Sequence, residues 1–95
     1  MKYTSVGIIS NNTEAEITVC LEVDCEEIRV APGLSFELLI EEKPEALPVT
    51  INYFNGGLQI YPHRSDPEWL IVFNGKQIKP SYPTILAEQV QRPGS

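Results

Sequence analysis

Ninety-five residues make one domain with a single modest core, in which about two-thirds of the unfolded chain's surface can be buried. A hydrophobic fraction of 42% with 21% charged residues is the balance of a globular chain and excludes an intrinsically disordered one. The net charge of −6 sits in the first half, with ten acidic against three basic residues up to Pro48, which disfavours a phosphate backbone as that half's direct partner.

From Val49 on, three acidic residues face four basic ones, so the two halves differ electrostatically and a basic partner is the natural complement of the first. At the N-terminus, Val6 to Ile9 is interrupted by Gly7 and stops at Ser10-Asn11-Asn12, too short for a secretory signal core. A cytoplasmic chain is expected, and on that expectation the Asn11-Asn12-Thr13 glycosylation pattern carries no weight. The longest apolar run, Trp69–Phe73, falls far below the roughly 20 residues of a transmembrane helix.

Tyr3–Ser10 carries β-branched and aromatic residues and predicts a first strand, which Asn11-Asn12-Thr13 breaks as a loop. Residues 15–24 alternate more cleanly: Ile17, Val19, Leu21 and Val23 turn inward, Glu16, Thr18, Cys20 and Glu22 outward. Glu26–Val30 continues the pattern with Ile28 and Val30 inward, up to the Ala31-Pro32-Gly33 turn. Cys20 and Cys25 flank the intervening turn. Hairpin geometry pairs Cys20 with a residue nearer Arg29, so two free thiols are expected rather than a bridge, and two cysteines with the distant His63 are too few for structural zinc. Glu22, Asp24, Glu26 and Glu27 lack the spacing and glycine of a calcium loop and predict a solvated turn.

Residues 34–41 alternate with Leu34, Phe36, Leu38 and Ile40 on one side, and Glu37 and Glu41 on the other. Helix propensity competes, but the alternation and the preceding Pro-Gly turn favour a strand. The segment from Glu42 to Pro48 holds two prolines and is long enough to cross from one sheet to another.

Residues 49–62 are the most legible stretch. Asn55-Gly56 is the dipeptide of a two-residue type I′ turn, with both central residues at positive φ. That loop sets Tyr53 opposite Leu58 and Ile51 opposite Ile60, whereas a three-residue loop would set Asn52 against Ile60. Phe54 and Tyr61 fall on the other face, which is a contact surface if exposed and core if a second layer covers it.

Pro62 to Glu68 is a polar loop between prolines. Trp69–Phe73 is apolar on both faces and predicts a strand covered on both sides, with Trp69 in the core. Asn74-Gly75 repeats the turn logic and sets Ile71 opposite Ile78 and Val72 opposite Gln77. Residues 84–91 predict a short helix capped by Thr84, in a C-terminal tail that begins at Ser81.

Seven or eight short strands with frequent turns predict an all-β fold, a small antiparallel β-sandwich over residues 1–80, with a small barrel as the alternative. His63, Arg64 and Asp66 place one proton-transfer group among charges, but no nucleophile, phosphate cradle or metal set accompanies them, and neither an enzyme nor a cofactor is expected. The expected function is a non-enzymatic interaction module that binds a basic protein through an acidic face, Glu16, Glu22, Glu37 and Glu41, or through an exposed sheet edge. Two alternatives are an acidic nucleic-acid mimic that occupies a basic protein's groove, and a small-ligand or carbohydrate module using Phe54, Tyr61, His63 and Arg64. Direct nucleic-acid binding and membrane association are not expected.

Overall fold

The computed structural model describes residues 2–23 and 25–87. Its strands are β1 (Tyr3–Ser10), β2 (Ile17–Leu21), β3 (Glu26–Val30), β4 (Ser35–Glu41), β5 (Thr50–Phe54), β6 (Gly57–Tyr61), β7 (Trp69–Phe73), β8 (Lys76–Ile78) and β9 (Thr84–Leu86). They form two sheets in the orders β1-β4-β7-β8 and β5-β6-β2-β3-β9, so the fold is an all-β sandwich, and the sheets do not close into a barrel. The segment between β4 and β5 carries the chain from one sheet to the other, as its prolines predict.

The four-stranded sheet is antiparallel throughout. In the five-stranded sheet the hairpins β2-β3 and β5-β6 are antiparallel, whereas β6 runs parallel to β2, and β9 parallel to β3. Connectivity explains the mixture: a strand that returns after crossing through the other sheet can arrive in either direction, while a tight turn enforces reversal.

Strand alternation builds the core. Val19, Leu21, Ile28, Val30, Ile60 and Leu86 from one sheet meet Phe36, Leu38, Ile40, Trp69, Ile71 and Phe73 from the other, all buried. Each such side chain is worth about 1.5–3 kcal/mol relative to exposure, so a few alternating residues suffice to decide which face of a strand turns inward. The Trp69 indole Nε1–H donates to the Glu22 carbonyl at 2.6 Å, tying β7 to the end of β2 across the two layers. Asn11, 1% exposed, donates through Nδ2 to the carbonyls of Ala15 (2.9 Å) and Val30 (2.8 Å), and its Oδ1 accepts from the Thr13 amide (2.9 Å) and hydroxyl (2.6 Å).

Both hairpin registers match the sequence expectation: Tyr53 faces Leu58, Ile51 faces Ile60, Ile71 faces Ile78 and Val72 faces Gln77. At Asn74-Gly75 both residues have positive φ, 53° and 77°. At the first turn only Gly56 does, at 96°, while Asn55 keeps a negative φ, the type II pattern instead of I′. Type II turns splay the flanking strands, and β5 tolerates this because no described strand pairs with its far side.

Two further expectations are corrected. Residues 84–86 form β9 rather than the start of a helix: Leu86 is buried, and the β-branched Thr84 and Ile85 lie level with Ile28 and Arg29 in a parallel ladder. The domain therefore runs past Pro80 to at least Leu86, and the remainder of the expected helix, from residue 88 on, lies outside the described residues. β7 is not covered on both sides. Trp69, Ile71 and Phe73 are buried, but Leu70 and Val72 are only half-buried, beside Leu39 and Glu37 on the outer face. Among the described residues no helix is long and apolar enough to cross a membrane.

Candidate functional site

Register determines which side chains share the outer face of the five-stranded sheet. Thr50, Asn52 and Phe54 of β5 stand opposite Tyr61, Gln59 and Gly57 of β6. Gln59 lies level with Cys20, Cys20 is opposite Glu27, Thr18 is opposite Arg29, and Ile85 is level with Arg29. Since Val19, Leu21, Ile28 and Ile60 fill the core, these alternates all point away from it. Glu16 and Glu22 continue the outward set at either end of β2. The Glu22 amide donates to the Ile60 carbonyl at 2.9 Å, which extends the ladder and sets Glu22 beside Tyr61.

The polar side chains of this face hold one another. Gln59 Nε2 donates to Glu22 Oε2 at 3.0 Å, and the Cys25 thiol donates to Glu22 Oε1 at 3.4 Å. Arg29 Nε donates to Glu27 Oε2 at 2.6 Å. That hydrogen bond and the Glu27 charge hold the guanidinium above its usual range, with Glu16 adding a smaller contribution. Burial pushes the Cys20 thiol up, as do the charges of Glu27 and Glu22. Among the described residues, three carboxylates, Glu16, Glu22 and Glu27, against the one guanidinium of Arg29 leave the face acidic.

Glu37 and Glu41 lie elsewhere. They belong to β4 in the four-stranded sheet, so the four glutamates expected on one acidic surface are divided between opposite faces of the sandwich. Glu41 is also occupied structurally: its Oε1 accepts the Glu68 amide at 2.9 Å and lies 3.9 Å from Lys43 Nζ. Glu37 stands between Ile8 and Val72.

Phe54 and Tyr61 do share the outer face with Glu16 and Glu22, and no second layer of described residues covers them. Phe54 is 39% exposed. The two aromatics stand at opposite ends of β6, four residues or about 13 Å apart, too far to clamp one small ring between them. His63 and Arg64 are exposed and turn toward the 42–49 connection, donating their amides to the carbonyls of Ala46 (2.9 Å) and Glu45 (2.8 Å). Arg64 Nη1 lies 3.5 Å from Glu45 Oε1. No described group of three or more His, Cys, Asp or Glu side chains is arranged to hold a metal ion.

Sequence reasoning placed Gln59 with Phe54 and Tyr61 but left Glu27 and Arg29 out of the face. The signal was present in the β2-β3 turn, since pairing Cys20 with Glu27 brings both new charges beside Glu16 and Glu22. No protein family, curated protein or solved structure matches the chain.

Proposed function

We propose that the protein is a non-enzymatic binding module that docks a basic protein partner on the outer face of its five-stranded sheet. The observation that carries this reading is the gathering of Glu16, Glu22, Glu27, Phe54 and Tyr61 on one uncovered surface. Carboxylates there attract a basic surface and orient it, while Phe54 and Tyr61 supply contact area at low rotameric cost. The division of the glutamates between two faces leaves the nucleic-acid-mimic reading without a continuous row of carboxylates. A cytoplasmic setting fits the two unbridged thiols, because Cys20 is paired with Glu27 rather than with Cys25.

The test is comparative capture from extract of the native host on three baits: the wild type, the Glu16→Gln/Glu22→Gln variant and the Glu37→Gln/Glu41→Gln variant. A basic protein retained by the wild type and by the Glu37/Glu41 variant but lost from the Glu16/Glu22 variant supports the proposal. Retention by all three baits, or loss only from the Glu37/Glu41 variant, refutes it.

A further inference from the structure

The edges of the two sheets are not alike. Among the described residues, β8 and β9 have three residues each, β8 carries Lys76, and β1 is interrupted by a bulge between Ser5 and Gly7. Short length, charge and bulges are the usual devices that keep sheet edges from pairing with other chains. β5 has none of them. It is regular, exposed along all five residues, and sits inside a stretch from Ala46 to Pro62 that contains no charged residue. Ile51 is 53% and Tyr53 86% exposed.

The hairpin decides which backbone groups of β5 are left over. In a two-residue hairpin the pair that closes the turn, here Phe54 and Gly57, is hydrogen-bonded, and bonded pairs then alternate. Thr50, Asn52 and Phe54 therefore direct their amides and carbonyls to β6. Ile51 and Tyr53 direct theirs outward, where no described strand is their neighbour.

From this pattern we infer that the protein forms a two-fold dimer in which β5 pairs antiparallel with β5 of a second copy, centred on Asn52. That register places Ile51 opposite the second copy's Tyr53, and Tyr53 opposite its Ile51, so each outward amide meets an outward carbonyl in about four hydrogen bonds. A one-residue shift would set outward groups against inward ones and lose them all. Side chains agree with the backbone: Ile51 and Tyr53 pair on the inner side, and Thr50 meets Phe54 on the outer side. Tyr53 also lines a 330 Å³ groove with Ile17, Leu58 and Gly57, which the second copy's strand would border.

Charge selects a second copy over a basic partner at this edge. Two chains of net charge −6 repel wherever their carboxylates approach, and the neutral 46–62 stretch is where they can meet without doing so. A basic protein finds no carboxylate on β5 to recognise. The inference goes beyond the binding reading, and its consequence is that two five-stranded sheets become one, setting two acidic faces side by side.

A non-bonded pair on the two-fold axis has its Cα atoms about 4.5 Å apart, within disulfide range. In a Cys20→Ser/Cys25→Ser background, Asn52→Cys is expected to oxidise to a covalent dimer at least about tenfold faster than Thr50→Cys, whose symmetry mate is out of reach. Sedimentation equilibrium of the wild type is expected to give a mass that rises from monomer to dimer with concentration. Tyr53→Lys, at a solvent-facing position, should keep the β-type circular dichroism spectrum and remain monomeric. A wild type that stays monomeric up to about 1 mM, equal cross-linking at residues 50 and 52, or an undiminished dimer in Tyr53→Lys would each overturn the inference.

Discussion

The ring of Phe54 lies across from Gly57, over a position of β6 where no side chain can stand. A Cβ placed on Gly57 would fall 3.1 Å from the ring and well inside contact distance of the Thr18 carbonyl oxygen. The missing side chain lets β6 approach β2 closely, and the aromatic ring shields the backbone thus laid bare. Gly57 is buried although every residue of β5 is exposed.

Gly57→Ala is therefore expected to destabilise the fold by about 1–3 kcal/mol through overpacking against backbone that cannot step aside. Gly56→Val, one residue away, meets open space but sits at φ 96°, and should lose about 1 kcal/mol or more through backbone strain alone. Urea denaturation distinguishes the two mechanisms. Gly56→Ala and Gly56→Val share the strain, whereas Gly57→Ala should already be as damaging as a larger substitution. Wild-type midpoints for Gly57→Ala would show that β6 and β2 are not held this closely.

Asn11 joins the end of β1 to Val30 of β3, and its loss removes one donor each from the Ala15 and Val30 carbonyls and the acceptor of the Thr13 amide. Asn11→Ala should lower stability by about 3 kcal/mol, measured by denaturant midpoint. Asn11→Asp keeps the size but turns a carboxylate toward the Ala15 and Val30 carbonyls. Its acid is protonated more readily in the folded state than in the unfolded one, so the variant's stability should fall as pH rises through the carboxylate range. The wild type should show no such dependence at this site. An Asn11→Asp variant as stable at pH 7 as at pH 4, relative to wild type, would contradict the assigned bonds.

The two cysteines should differ in reactivity. Cys25 is exposed, while the half-buried Cys20 thiol is held up by burial and by Glu27 and Glu22, so iodoacetamide at pH 8 should label Cys25 first. Glu27→Gln and Glu22→Gln should each speed labelling of Cys20, because each removes a charge that opposes the thiolate. A thiol pKa raised on folding also means that the unfolded chain gives up its proton first. The stabilisation from this site is complete at neutral pH and declines as pH climbs past 9.0, the ordinary thiol value, a decline that Cys20→Ser should remove. Mass spectrometry of peptides after timed alkylation reads the order, and faster labelling of Cys20 would contradict the packing of the outer face.

What the sequence disclosed was local. Alternation along residues 17–21 and 34–41 told inward from outward, although Val23, expected inward, lies past the end of β2 and is 55% exposed, and Asn55-Gly56 with the apolar matches around it told the register. Neither device says which sheet a strand joins. That is why Glu16 and Glu22 could be placed outside correctly while their separation from Glu37 and Glu41 stayed hidden. The strand Trp69–Phe73 misled because Leu70 and Val72 are as apolar as Ile71, although only one side of β7 meets the other sheet. Thr84 to Leu86 misled because a three-residue strand has no period of its own and forms only against an existing edge, here β3. Asn11 read as a loop breaker, since its partners at Ala15 and Val30 are brought to it by the fold.

Under the proposed function, the outer face of the five-stranded sheet, and not the outer face of its neighbour, recruits a basic partner. With a captured partner in hand, association rates measured across a salt series for the wild type, Glu16→Gln/Glu22→Gln and Glu37→Gln/Glu41→Gln test it most directly. Screening acts on charges that guide encounter, so the wild-type rate should fall as salt rises. The Glu16/Glu22 variant should associate several-fold more slowly at low salt and with a shallower salt slope, while the Glu37/Glu41 variant tracks the wild type. Equal rates and slopes for all three proteins, or a loss confined to the Glu37/Glu41 variant, would contradict the account.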